Sequence, residues 1–518
     1  MMKTLIIHEM QNLLKSKRIY WTILLFLMLF TSIFVVRVVD YQNQLNQYIA
    51  DEKDADEALQ AAKNYSQIKQ YAIQQPLIFS IYNQGHKYSR AAFIQYYEPI
   101  LRTISLNEEA NLYFNKDNKL DITFLVTFFL SLFILLISYD SINGEKQSGT
   151  LRIMMTYPVK RQSFILKKIL GIFSFVALAF SLPYLVSLLI LIIVYANLLT
   201  TGFFLSAFFY WLLILLFIFF FSLLGVLISI LTKSPNRSLV FALFVWLLLS
   251  IILPITWEYI VSPQLFHQEL NNLTLTYEKK LEHSKNIFYL REVDTNKYNV
   301  NEIDINKVSH LNWSNYFYDT SVWSFDEAYD QHYRFMQYVI DEYYPASREV
   351  EQAIDGLYRK QISVQNYKNG VFFFNPIVLF ENLSTKIAGN SQLDYLKLLH
   401  NAREIRDELV NRGINEGWLK DYRFFACYSE KENCGTYNDL VKRFNGDHAK
   451  LWDYLMARIN EPKEAFEFSL PDLHKYSQNQ LSFGEIFSRI FPYLVLFVVN
   501  IIVLWLIIWF KFMNYDIR

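Results

Sequence analysis

The sequence predicts an all-α polytopic membrane protein: six transmembrane helices with a mostly α-helical extracytoplasmic domain. Three observations carry this expectation. First, residues 19–36, 122–139, 169–231, 238–257 and 490–510 contain no Lys, Arg, Asp or Glu. About 20 apolar residues cross the ~30 Å hydrocarbon layer as a helix. The 63-residue stretch 169–231 is too long for one crossing and fits two, with a polar break near 196–202. Second, the net charge is zero but unevenly placed. With a cytosolic N-terminus, the cytosolic segments 1–18, 140–168, 232–238 and 511–518 hold 14 basic and 4 acidic residues, and the remainder holds 35 and 45. That is the positive-inside pattern. Third, Tyr20, Trp21, Tyr139, Tyr195, Trp257 and Trp509 stand near span ends, where amphipathic rings favour the interface.

Residues 1–18 begin the chain. Leu5, Ile6, Met10, Leu13 and Leu14 fall near one helical face, with Lys3, Lys15, Lys17 and Arg18 polar. This reads as an interfacial helix along the inner membrane surface, or as a basic flank that orients the first span. The first span, 19–36, is long for a signal-peptide apolar region. Arg37, Val38 and Val39 follow it in place of a small-residue cleavage site, so a retained span is expected.

Residues 37–121 form a first extracytoplasmic segment. Its Gln-, Lys- and Asp-rich stretch 41–71 reads as polar helix, broken around Gln75–Pro76 and Gly85. The second span is 122–139. Spans three to five occupy 169–257, at about 170–195, 203–231 and 239–256. Residues 258–489 are a large extracytoplasmic domain, long enough for its own core. Asn375–Pro376 marks a helix start. Tyr395, Leu399, Ala402, Ile405 and Leu409 recur on one face, and Gly413 stands where that helix would stop. Val350, Ile354 and Leu357 repeat the pattern. The sixth span is 490–510, followed by a cytosolic tail, 511–518.

Residues 140–168 lie between spans two and three and are punctuated by Gly144, Gly149 and Pro158. Leu151, Met154 and Met155 are apolar within this charged segment, and Lys160, Arg161, Lys167 and Lys168 approach the next span. The pattern reads as a helix end, a short surface helix, a break and the next span. Such an element offers a rigid edge to a cytosolic partner. Charge topology alone accounts for the basic residues but not for Gly149-Thr150-Leu151 and Pro158 in that order. Glu145 is suited either to pairing a basic group on a partner or to capping a helix.

The order Asp140, Glu145, Gly149-Thr150-Leu151, Pro158 with Arg161, and Lys168 with Gly171 resembles the signature of ABC-2-type transporter permeases. The six-span layout and the N-terminal helix share the resemblance. The stretch NPIVLFENLSTKIAGNSQLDYLKLLHNAREIRDEL looks like the large external insert of a bacterial subgroup of these permeases. The resemblance implies a permease subunit of an ATP-driven transporter that exports or extracts a substrate across the bacterial cytoplasmic membrane, with both termini cytosolic. It implies ATPase-coupling roles for Glu145, Gly149, Thr150, Leu151, Pro158, Arg161 and Lys168. It also implies a separate nucleotide-binding ATPase subunit carrying ATP and Mg, and a second permease copy or paralogue completing a dimer. A membrane-anchored extracytoplasmic binding or signalling module is the competing expectation. Five further spans and the ordered 140–168 segment exceed what an anchor requires.

Other chemistry has little support in the sequence. Gly144 to Thr150 superficially matches a phosphate-binding loop, but Thr150 occupies the essential lysine position and a membrane helix precedes it. No catalytic residue is expected in this chain. The nine histidines show no HExxH or other tight metal spacing, so no metal site is expected. The acidic exterior disfavours nucleic acid. The spans carry no ionisable residue, which argues against an ion-coupled carrier. Cys427 and Cys434, in the oxidising compartment under this topology, are either a disulfide closing a short loop or two free thiols.

Overall fold

A computed structural model describes residues 17–62, 68–73, 75–84, 91–95, 102–103, 120–156, 160–254, 344–371, 374–416 and 483–514, with isolated positions elsewhere. Cys427, Cys434, Pro158 and nearly all of the expected interfacial helix 1–18 lie outside the described residues. Six helices are long and apolar enough to cross a membrane, as the fold class requires.

The first helix, α1 (Lys17–Gln60), is 44 residues long, or about 66 Å at ~1.5 Å per residue. It carries the first span and continues well beyond it. The expected polar helix after residue 41 is therefore the same helix, and it ends at Gln60 rather than near residue 71. No Gly or Pro interrupts residues 17–60, and the Ala-, Glu-, Asp- and Lys-rich continuation keeps helical geometry outside the apolar zone. Its outer part is held by neighbours: Arg37 donates to the Ser80 carbonyl at 3.1 Å, and buried Tyr41 meets Tyr195 edge-on at 5.2 Å.

A small antiparallel sheet follows, in the order β1 (Lys69–Ile73), β2 (Ala91–Gln95) and β3 (Arg102–Thr103). Tyr71 pairs with Phe93, and Phe93 with Arg102. The polar-helix expectation at 69–71 is thus corrected: these residues form a strand whose partners lie 22–26 residues further along the chain, beyond the reach of a local pattern.

Helix α2 (122–138) starts on an Asp121 cap, whose carboxylate accepts from Phe124 N at 2.7 Å. It passes through a π-helical stretch, Leu125–Leu130, before Ser131–Ser138. Two short helices follow, α3 (Asn143–Gln147) and α4 (Thr150–Met154). Helix α5 (Arg161–Val194) begins well before the expected span. A 3-10 turn, Ala196–Leu198, leads to α6 (Thr201–Leu231). Next come α7 (Pro235–Leu247), which passes into a π-helical stretch at Leu248–Ile252, α8 (Tyr344–Val371), α9 (Pro376–Ala388), α10 (Gln392–Asn415) and α11 (Phe483–Met513).

Helices α2 and α6 are the buried columns of the bundle, whereas α1, α5, α7 and α11 bury a third or less of their apolar windows. The two columns touch closely. A Cβ built on Gly225 of α6 would lie 1.7 Å from Ser138 Oγ and 2.6 Å from Ser138 Cβ of α2. Only a residue without a side chain permits that approach.

Both π-helical stretches are met by side chains from other helices. Trp246 Nε1 of α7 donates to the Phe128 carbonyl at 3.2 Å. Asn375 Nδ2, beside α9, donates to the Leu249 carbonyl at 3.0 Å. In hydrocarbon, such donors satisfy carbonyls that irregular helices present poorly. Asn375 also accepts from Ile377 N at 3.0 Å and precedes Pro376, as the sequence suggested. Helix α9 is buried against α6 and α11: Phe380 lies 4.8 Å from Phe217, and Ser206 donates to the Ile387 carbonyl at 2.9 Å.

Helices α8 and α10 are clasped by ion pairs. Arg403 holds Asp355 with two bonds of 2.8 and 2.9 Å. Buried Arg406 forks onto Glu351 and also reaches Asp407 at 2.9 Å. Burial alone pushes the Asp407 carboxyl up, but the Tyr344 hydroxyl and the Arg406 and Arg348 guanidiniums outweigh it and hold it below the usual range. Burial and the bond to Asp407 push the Tyr344 phenol up to about 12. Leu399, Ala402, Ile405 and Leu409 are buried on one face, as the periodicity predicts. Gly413 does not stop α10, which runs to Asn415 with its cap at Glu416. The capping box of Ser391 and Asp394 instead fixes its start.

Candidate functional site

The segment between the second and third spans forms a pair of short helices at one end of the bundle. Its shape follows from three local features. Ile142 N and Asn143 N both donate to Ser229 Oγ of α6, at 2.9 and 3.1 Å. The buried Asn143 amide donates to Thr232 Oγ1 at 2.9 Å. The start of α3 is thereby tied to the last turn of α6.

Gly149 then turns the chain. Its φ of 76° is left-handed, a conformation costing a residue with a side chain roughly 1 kcal/mol or more. The Ser148 and Thr150 hydroxyls lie 2.9 Å apart, each 3.2 Å from the Glu145 carbonyl oxygen, so one hydroxyl donates to that carbonyl while the other donates to its neighbour or to the same carbonyl. This closes the end of α3 and begins α4. Where a single surface helix was expected, the left-handed glycine divides the segment into two.

Glu145 is ion-paired with Lys168 of α5. Their side chains are only 19% and 8% exposed. The two roles weighed for Glu145, pairing a partner's basic group and capping a helix, are joined by a third within the chain. Lys168 was expected at the end of a loop, yet it stands in the third turn of a helix that starts at Arg161. A loop ending at 168 is therefore replaced by a helix ending the loop at 160, because residues 161–168 lack Gly and Pro and can extend the span helix.

Leu151 is buried and anchors α4, with Met154 and Met155 packed against the core. Ile153 points the other way and is 63% exposed. Arg161 donates to the Met513 carbonyl at 2.9 Å, and Phe164 stacks on Phe512 at 6.1 Å. The structure therefore places Glu145, Gly149, Thr150 and Leu151 in the α3–α4 pair, joins Glu145 to Lys168 of α5, and directs Arg161, at the start of α5, to α11.

Sequence reasoning missed Asn143, Ser229, Thr232 and Ile153. The Ser229/Thr232 spacing on one face of α6 was a usable signal for a polar contact at that end. Ile153 lay inside an apolar-looking run and gave no sign of its outward direction. Among the described residues, no three His, Cys, Asp or Glu side chains are grouped so as to hold a metal ion.

Six apolar helices with a two-helix ledge between the second and third spans make this a polytopic membrane protein. The profile of the ABC-2 family transporter proteins matches residues 3–406, and the chain belongs to that family. Part of the chain is also similar to two relatives, each called a probable ABC transporter permease protein NosY. The one from Pseudomonas aeruginosa is 45% identical over 58 residues, 11% of this chain and 21% of the relative. The one from Stutzerimonas stutzeri is 44% identical over 55 residues, 11% and 20% respectively. The chain thus matches about a fifth of the length of these relatives. It is a multi-pass membrane permease of the ABC-2 family.

Proposed function

We propose that this permease is driven by a separate ATP-binding subunit that docks on the α3–α4 ledge. The observation that carries the reading is the ledge itself. Glu145 and Lys168 join it to α5, Asn143 and Ser229 join it to α6, and Ile153 projects from it. Force applied at α4 reaches two spans through fixed contacts rather than through a pliable loop. Exposed Arg152 beside Ile153 suits a partner surface with an apolar slot and an acidic rim.

In this reading ATP and Mg are bound by the partner, and this chain contributes no catalytic residue. The excess of basic residues on the ledge side supports a cytosolic position for that side and for both termini, and family resemblance suggests a bacterial cytoplasmic membrane. The chain between the fifth and sixth spans then belongs to the outer side, from which α9 inserts between α6 and α11. A second permease copy or a paralogue completes the transporter, and its direction is export or extraction, as family resemblance suggests. The experiment is co-expression with the candidate ATP-binding subunit, purification and reconstitution. A stable complex with vanadate-sensitive ATP hydrolysis is expected. Replacing Ile153 by Asp should weaken association by about 2 kcal/mol, roughly 30-fold, as for an interface hot spot. Undiminished association of that variant would remove α4 as the docking element.

A further inference from the structure

The last span joins the two ends of the molecule through side-chain contacts at each of its ends. At the ledge end, Phe512 of α11 stacks on Phe164 of α5. The Met513 carbonyl, in the last turn where intrahelical partners run out, accepts from Arg161 at 2.9 Å. Arg161 opens the same helix that holds Lys168, the partner of Glu145. At the opposite end, Arg489 pairs with Asp394 of α10 at 2.6 Å, with side chains 14% and 12% exposed. Lys386 of α9 stands 3.6 Å above the Tyr493 ring.

The span between these contacts is large. Arg489 and Met513 are about 36 Å apart along a helix, more than the ~30 Å hydrocarbon thickness. The contacts therefore lie at opposite faces of the membrane. Asp394 is also special in its place: its Oδ2 accepts from Ser391 N at 2.9 Å and closes the capping box of α10, while Oδ1 takes Arg489. A shift of Arg489 therefore acts on the first turn of α10.

We propose that α11 carries movement of the ledge to the α9–α10 pair, and that Arg489 is the positioning residue at its far end. This rests on the ATP-driven reading of the ledge. Helix α6 also runs between the two faces, bonded to Asn143 at one end and to the Ile387 carbonyl at the other. It is enclosed by protein, however, and close packing resists its displacement. Helix α11 packs along α6 on one side but buries less than a fifth of its apolar window, and fluid lipid on its other side yields where packed protein does not. In this mechanism α6 is the fixed column and α11 the moving one.

The test uses the full-length permease with its ATP-binding subunit in lipid nanodiscs. Hydrogen exchange is followed over residues 392–415 with and without ATP plus orthovanadate. In the natural protein, trapping should change exchange there. In Arg489→Gln that change should be lost while vanadate-sensitive ATP hydrolysis persists, and Arg489→Lys should restore it. Lys397→Ala, which removes only the exposed pair with Glu485, should leave the change intact. An Arg489→Gln response equal to that of the natural protein overturns the proposal, as does an unresponsive α10 in a complex that is demonstrably trapped. If no ATP-binding subunit associates, the reading of the ledge fails instead, and the pull-down and hydrolysis assays register that separately.

Discussion

Replacing Lys168 by Met should destabilise the permease by about 3 kcal/mol. Removing one member of a buried ion pair typically costs ~3–5 kcal/mol, because the other charge keeps its desolvation penalty without its partner. Lys168 is nearly enclosed, but Glu145 keeps about a fifth of its side-chain surface in solvent, which places the expectation at the lower end. At ~1.4 kcal/mol per tenfold, 3 kcal/mol is about a hundredfold in the unfolding equilibrium. Glu145→Gln alone should cost a similar amount, since a buried ammonium is then left. The double variant should recover most of the loss, as replacing both members of such a pair is often neutral. The assay is denaturant unfolding of purified protein in one detergent, read as a double-mutant cycle with an interaction of about 2–3 kcal/mol. In the reconstituted complex, the double variant should fold and yet transmit ATP hydrolysis to transport poorly. Single variants within about 0.5 kcal/mol of the natural protein, as for ordinary surface changes, would show that the Glu145–Lys168 pair does not hold the ledge to α5.

Gly149→Ala meets no atom within 4 Å, so its effect is one of backbone alone. It should cost roughly 1–2 kcal/mol and reduce coupling between hydrolysis and transport, measured as the ratio of the two rates. Gly225→Ala should cost at least about 1–3 kcal/mol by overpacking, and Ser138→Gly in the same chain should restore much of it, read from thermal midpoints. Asn375→Ala removes both a helix cap and the donor to Leu249, for a loss of about 1–2 kcal/mol seen as faster hydrogen exchange in α9. The α8–α10 clasp should depend on pH in two directions. Asp407 has a folded pKa below its unfolded one, so its contribution is full above ~3.9 and is lost as pH falls through the folded value. Tyr344 is raised to about 12, so its contribution is full below ~10 and is lost as pH climbs to 12. Exchange over residues 344–371 across pH should show both limbs, and Asp407→Asn should flatten the acid one.

The spans were legible because their signal is local and strong: uncharged runs of the right length, in a chain whose charges sort by side. The cap at Asn375–Pro376 and the buried face of α10 were legible for the same reason. What escaped needed information from elsewhere in the chain. The strand at Lys69–Ile73 exists through pairing with Ala91–Gln95, and nothing in KQYAI itself demands it. The extension of α1 to Gln60 escaped because a polar composition was read as a new element, although no helix-breaking residue separates it from the span. Gly413 was read as a stop, yet it is tolerated inside α10. At the ledge, residue order identified the element, and the left-handed Gly149 is the kind of glycine a motif can reveal. The pairing of Glu145 with Lys168 could not be read in that way, because it depends on α5 starting at Arg161 and turning Lys168 toward α3.

In the proposed mechanism the exposed face of α4 receives an ATP-binding subunit. A photo-crosslinking amino acid at position 153, in protein carried in its native membranes, tests this most directly. Illumination should join the permease to a protein containing a phosphate-binding Walker loop, identified by mass spectrometry, while the same probe at Val240, exposed on α7 within the apolar zone, should capture no such protein. Crosslinks from position 153 to lipid alone, or to proteins lacking a nucleotide-binding loop, would contradict the claim.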